Sequence, residues 1–250
     1  MKSLLFITFL YLTFSSLSYA NDNLPGVSKF IDEMHDEHGF DKAELQTVFK
    51  QVNVKKSILK AIARPAEKSK PWYDYRKIFI TQKRINNGAA FWQANKSALV
   101  KAERQFGVPA EIIIAILGVE TSYGGNVGGY RVVDALSTLA FRYPPRSKFF
   151  RSELGHFLFL TREEKMSILT PMGSYAGAMG LGQFMPSSFR AYAIDFDGDG
   201  KRDIWTNPTD AIGSIANYLN RHGWVAGESI AHKTSVAGSA PVALLEKGTK

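Results

Sequence analysis

The chain has 250 residues, 45% of them hydrophobic and 12% aromatic, a composition that excludes a disordered polymer and allows a substantial core in one or two domains. It contains no cysteine, which removes disulfide scaffolds and thiol nucleophiles. Lysine and arginine outnumber aspartate and glutamate 31 to 23, for a net charge of +8; such a chain suits anionic polymers or head groups, and no zinc-finger spacing or aromatic-laced basic helix points to nucleic acid.

Met1 to Ala20 has the layout of a secretory leader: Lys2, an apolar run from Leu4 to Phe14, and small residues ending in Ser18-Tyr19-Ala20. The run is short for a bilayer span. Residues 1–20 are therefore expected to be a signal peptide, with the mature chain starting at Asn21, no membrane span after cleavage and no cysteine for lipid attachment. Helical spacing follows in Val27, Phe30, Ile31 and Met34, closed by Gly39. Asp41 with Glu44 reads as a capping box opening a helix through Leu45, Val48 and Phe49, and a third helix with Ile58, Leu59 and Ile62 stops at Pro65.

Lys70 to Tyr75 is rich in aromatics. Trp72, Tyr73 and Tyr75 can stack on a ligand, but aromatics ahead of a helix are more often core plugs, and that is the favoured expectation. Ile85 to Phe106 reads as one long helix with Phe91, Trp92, Leu99, Ala102 and Phe106 on one side, ended by Gly107.

Pro109 to Gly125 is the most informative stretch. An apolar helix opened by Pro109 leads to Glu120 in its last turn, and Gly124-Gly125 stop it. At about 100° per residue, Ile113 and Ile116 share a stripe with Glu120, so the carboxyl is expected against an apolar wall and near the negative end of the helix dipole. Both effects disfavour the anion and suit a general acid, while Glu111 lies half a turn round the helix from Glu120, on its opposite side. A structural role, capping a backbone group or pairing with arginine, is the alternative.

The glycine-rich turn 124–129 lacks the Gly-Lys-Ser/Thr ending of a phosphate loop. Helices are expected at Val133 to Tyr143, ended by Pro144-Pro145, and from Phe149 to about Met166, with Arg146 between them. Gly173 to Gly182 then offers close backbone approach, with Ser174 and Gln183 as its polar exceptions. A buried glutamine usually satisfies nearby backbone, but in a glycine-lined groove it can equally bind substrate.

Asp195, Asp197, Asp199, Gly200 and the Lys201 carbonyl reproduce the first half of an EF-hand loop, a site for a hard cation such as calcium. Position twelve is Thr206 in place of glutamate; Asp210 can close a lengthened loop from the first turn of the next helix, with Asp203 as a rival ligand. That helix, Ala211 to His222, carries Ile212, Ile215, Ala216 and Leu219. His35 and His38 lack the spacing of a zinc protease, and there is no Gly-x-Ser-x-Gly elbow.

The runs Ile-Leu-Gly-Val-Glu120-Thr-Ser-Tyr-Gly-Gly and Tyr175-Ala-Gly-Ala-Met-Gly-Leu-Gly-Gln-Phe-Met-Pro-Ser-Ser, with the acidic loop followed by Asp210-Ala-Ile-Gly-Ser-Ile-Ala-Asn-Tyr, strongly resemble the membrane-bound lytic murein transglycosylase B family over roughly Pro71 to Glu228. The resemblance implies a mainly α fold: a lysozyme-like catalytic core at 107–228 containing the cation loop 195–210, a smaller helical subdomain at 21–106, and a tail at 229–250 that is short for the family. It implies cleavage between N-acetylmuramic acid and N-acetylglucosamine in peptidoglycan, with Glu120 as the single acid/base. Ser174, Gln183, Tyr75, Arg146 and Tyr218 match groove-lining positions; Asp195, Asp197, Asp199, the Lys201 carbonyl and Asp210 match the calcium loop. Glycan strands are the implied partner, other cell-wall enzymes are further candidates, and the location is a soluble, non-lipidated periplasmic form. A hydrolysing muramidase, a non-catalytic wall-binding module and a cation-dependent adhesion domain are the competing readings.

Overall fold

The computed structural model describes residues 24–63 and 71–232. The expected leader, the mature start at Asn21, the Pro65 stop and most of the tail lie outside the described residues.

Helical periodicity dominates, as expected of a mainly α chain. Three short helices open it, α1 (Val27–Asp36), α2 (Lys42–Lys50) and α3 (Lys56–Ile62). The α1 face bearing Val27, Phe30, Ile31 and Met34 is buried, and the Asp41 side chain accepts the Glu44 N–H at 2.7 Å to cap α2. Next come α4 (Trp72–Phe79), α5 (Gln82–Ala94), α6 (Lys96–Phe106) and α7 (Ala110–Thr121). The two-residue strands β1 (Tyr130–Arg131) and β2 (Met172–Gly173) pair antiparallel, Tyr130 opposite Gly173. Between them lie α8 (Val132–Arg142), a 3-10 turn at Pro144–Arg146, and α9 (Ser147–Glu163). The chain continues through α10 (Pro186–Tyr192) and α11 (Pro208–Arg221).

Two expectations are corrected. The single helix from Ile85 to Phe106 is broken at Asn95, whose backbone leaves the helical region (φ −116°, ψ 21°). Its side-chain amide donates to the Phe91 carbonyl at 2.9 Å, so a short polar side chain competes with the helix ladder and turns the chain from α5 into α6. Trp72 and Tyr73 are also not core plugs: they are 68% and 61% exposed, because α4 lays no face against the core. Tyr75 is partly covered, by Phe79 at 5.2 Å between ring centroids.

The centre of the molecule is α8, buried from Val132 to Ala140, which shares its most extensive interface with α9. Two of its buried polar residues, Asp134 and Thr138, serve the backbone packed on it. Buried Asp134 takes the Arg131 guanidinium in a fork at 2.8 and 2.9 Å and accepts the Asn53 N–H at 2.9 Å; Thr138 accepts from Lys55 N–H. The buried apolar residues form one cluster running from Leu24 to Ala216, in which Leu99 and Ala102 of α6 join Ile113 and Leu117 of α7 across position 106/107.

Candidate active site and cation loop

α7 is apolar on nearly every side and is driven through the core, with Ile113, Ile114 and Leu117 buried. Pro109 stands just outside it as the N-cap rather than inside its first turn. The stripe expected to hold Glu120 against the core instead slides outward along the helix. Ile113 is buried, Ile116 is half-buried and Glu120 stands open, because α7 runs out of core at that point.

The stop begins earlier than the glycines suggest. Ser122 (φ 52°) and Tyr123 (φ 61°) are left-handed before Gly124 (φ 87°), at a cost of about 1–2 kcal/mol for each non-glycine residue. The surroundings fix this turn. Thr121 Oγ1 donates to the Leu181 carbonyl at 2.8 Å and accepts the Gly124 N–H at 3.0 Å, and Tyr123 N–H returns to the Leu117 carbonyl at 3.0 Å. The Tyr123 ring is wedged where α5 meets α7: a Cβ at Gly88 or Gly118 would stand 2.4 or 2.5 Å from its hydroxyl oxygen.

The glycine-rich segment lies against that turn backbone on backbone. A Cβ at Gly128 would stand 2.1 Å from the Gly173 carbonyl oxygen. Gln183 is left-handed (φ 52°) and its amide donates to the Gly180 carbonyl at 2.9 Å and the Val127 carbonyl at 3.3 Å, joining the two glycine loops. Ser174 Oγ accepts from Ala176 and Ala178 N–H at 3.2 and 3.1 Å and so holds its own turn.

A cleft of about 390 Å³ opens between these parts, walled by Ile116 and Glu120 of α7, Gly182 to Met185, Ser188 of α10, and Ile215, Tyr218 and Leu219 of α11. Among the described residues, Glu120 is its only carboxyl. Although the residue stands open at the mouth, the cleft walls take water from its carboxyl, and this burial pushes its pKa above the ordinary 4.5. Of the sequence-derived site residues, Glu120, Gln183 and Tyr218 share this cleft. Ser174, Tyr75 and Arg146 are not among its walls; Arg146 lies exposed over the Phe149 ring, 4.3 Å from its centroid.

Sequence reasoning passed over two contributors. Phe184 meets Tyr218 edge-on at 5.9 Å, and Tyr218 stacks on His222 at 4.0 Å, giving the cleft an aromatic side. Glu153 is buried on α9 and accepts the Ser187 N–H and hydroxyl at 2.9 and 2.6 Å, fixing the start of α10 below the cleft wall. A lone acid between Phe150, Leu154 and Phe157 was the signal for it.

In the acidic loop, carboxylate oxygens of Asp195, Asp197 and Asp210 lie within 4.8 Å of one another. Asp195 accepts the Gly200, Gly198 and Asp199 N–H groups, Gly200's at 2.7 Å having the largest effect, and they hold its pKa below the ordinary 3.8. Asp210 is fully buried and takes the Phe196 and Asp203 N–H groups at 2.7 and 2.8 Å; burial still pushes its pKa up. Three clustered carboxylates, one without access to solvent, fit a hard divalent cation. Asp199 is outside this trio and accepts the Lys201 N–H at 2.9 Å, while Asp203 caps its own turn through Trp205 and Thr206 N–H. The loop is tied to the cleft: Leu181 N–H donates to the Ile204 carbonyl at 2.9 Å.

Residues 23–250 match the family described as the transglycosylase SLT domain. The chain belongs to that family. It is 45% identical over 218 residues to membrane-bound lytic murein transglycosylase B of Escherichia coli K12, a match covering 84% of this chain and 60% of that protein. The chain thus spans about 60% of the length of that relative. Among solved structures, soluble lytic transglycosylase SltB1 of Pseudomonas aeruginosa matches at 58% identity and a TM-score of 0.80, over 82% of this chain and 69% of that one. Escherichia coli lytic transglycosylase Slt35, solved in complex with calcium, matches at 46% identity and a TM-score of 0.78, over 83% and 66%. The SLT-family chain has the mainly α, lysozyme-like fold of these proteins.

Proposed function

We propose that the chain is a peptidoglycan lytic transglycosylase with Glu120 as its acid and base. The observation carrying this reading is that a single, partly desolvated carboxyl lines the cleft. A glycosidase of the usual kind needs a second carboxylate across the bond, as nucleophile or to activate water. With one carboxyl, the nucleophile is supplied by the substrate. Protonated Glu120 gives its proton to the oxygen leaving C1 of N-acetylmuramic acid, and the C1–O bond breaks. The resulting carboxylate takes the proton from that sugar's own 6-hydroxyl as O6 bonds to C1, closing a 1,6-anhydro ring with no water consumed.

Gln183 and Tyr218, on the same wall system, position the sugars, while Ser174, Tyr75 and Arg146 are assigned to the glycan groove by the resemblance alone. Asp195, Asp197 and Asp210, with Asp199 and the Lys201 carbonyl, would hold calcium, which supplies positive charge that braces the loop and takes no part in the reaction. Residues 107–228 form the catalytic core on this reading, and 21–106 the helical subdomain. The apolar run after Lys2 supports export to the periplasm, and no helix among the described residues is long and apolar enough to cross a membrane. Glycan strands are the partner; other wall enzymes are candidates by the shared substrate.

The test is to incubate the chain with purified peptidoglycan and weigh the released fragments. Anhydro ends, lighter by one water than reducing ends, are expected, and Glu120→Gln should abolish their release. Reducing ends would identify a hydrolysing muramidase instead.

A further inference from the structure

α4 and the start of α5 present a face that no other element among the described residues covers. α4 buries no residue, and Trp72, Tyr73, Ile80 and Ile85 are exposed. The rings on this face are not scattered. Trp72 meets Tyr75 at 6.3 Å, Tyr75 meets Phe79 at 5.2 Å, and the Arg84 guanidinium lies over Phe79 at 5.3 Å. Arg84 belongs to α5, whose Gly88 backs directly onto the Tyr123 ring. Tyr123 stands three residues past Glu120 and packs on Phe91 of α5 at 5.7 Å. The ladder of rings, closed by Arg84, therefore leads from Trp72 onto α5, the helix that packs on the turn after Glu120.

Charge on this ladder is one-sided. Residues 71–95 hold Arg76, Lys77, Lys83 and Arg84 against Asp74 alone, which pairs with Lys77 at 3.0 Å. Flat apolar faces of sugar rings pack on aromatic side chains, and the peptide stems of peptidoglycan end in carboxylates that guanidinium groups bind well. We propose that this face is a distal binding stretch for the glycan strand, in which sugars remote from the scissile bond lie against Trp72 and Tyr73 and the stem carboxylates meet Arg76 and Arg84. The inference rests on the transglycosylase reading for the identity of the strand. An anionic bilayer would also accept exposed tryptophan and arginine, but it gives no reason for the ladder to lead onto the helix packed against the turn after Glu120.

Trp72→Ala and the double variant Trp72→Ala/Tyr73→Ala remove exposed rings, so the fold and its Tm should be unchanged. On long glycan strands KM should rise about five-fold, with kcat unaltered. On short fragments that fill only the cleft KM should not move, and Trp72→Phe should restore most of the affinity for strands. Equal KM values for variant and wild type on long strands would overturn the proposal. So would a loss of binding confined to phosphatidylglycerol-phosphatidylethanolamine vesicles. If the wild type releases no anhydro ends, the transglycosylase reading fails separately. Sedimentation of Glu120→Gln with purified peptidoglycan, with and without Trp72→Ala, then decides the binding proposal alone: weaker binding with Trp72→Ala supports it and equal binding sinks it.

Discussion

Glu120 lies at the edge of two environments, with its backbone in the last turn of a buried helix and its carboxyl at the mouth of a cleft. Burial raises its pKa, so the folded chain binds a proton there more tightly than the unfolded chain does. Between the ordinary 4.5 and the raised folded value the native state holds more protons, and stability falls as pH rises through that window. Glu120→Gln removes a group that is disfavoured as an anion. Its Tm should exceed that of the wild type at neutral pH, and the difference should vanish below the unfolded value; equal Tm values throughout would show that the carboxyl is as well solvated as any surface acid. On the proposed mechanism activity has the same origin: its first step uses the protonated acid, so kcat/KM should fall on the alkaline side with an apparent pKa above 4.5. That limb should be absent from a variant that retains activity by another route.

Among the elements, α5 and α7 meet through glycines. Gly118→Ala would place a methyl group 2.5 Å from the Tyr123 hydroxyl oxygen and 2.9 Å from the ring carbon that bears it. Gly88 and Phe91 block the ring's retreat. The variant should lose about 1–3 kcal/mol in denaturant unfolding. Adding Tyr123→Phe removes the nearer contact and should recover part of the loss, which a double-mutant cycle measures. Little of this joint was legible in the sequence. Gly118 reads as an ordinary small residue in an apolar helix, and its use depends on a tyrosine that occupies a left-handed position where glycine was expected. The break at Asn95 was hidden because apolar spacing continues on both sides of it, and the short α10 because Pro186-Ser-Ser resembles loop. By contrast α1, α2, α8 and α11 were legible to within a few residues, since each carries its own period and its own terminal signals. Glu120, Gln183 and Tyr218 were legible as a set only through motifs; nothing in their spacing says that three distant segments wall one cleft.

Across the whole molecule, the cation loop and the cleft are parts of one structure. With calcium at about a hundred times its Kd, the expected gain is about 2.7 kcal/mol, or roughly 5–10 °C in Tm for a chain of this size. Chelator should remove it, and Asp195→Ala should make Tm insensitive to calcium, since Asp195 belongs to the clustered trio. Unchanged melting with and without calcium would leave the loop as a hydrogen-bonded turn and nothing more. The exposed face of α4 shows the limit of patterning at this scale: the aromatics were visible, but their exposure depends on which elements come to rest against α4, and a linear pattern does not carry that.

One residue links the two ends of this arrangement. The Leu181 carbonyl takes the Thr121 hydroxyl from the helix of the acid, while the Leu181 N–H is given to Ile204 at the exit of the loop. Its amide proton is therefore a built-in reporter. In deuterated water it should exchange slowly when the loop is loaded and quickly once the ion is withdrawn, before any global unfolding is detected. A rate indifferent to the ion would mean that the far side of the molecule can loosen without disturbing the proton donor.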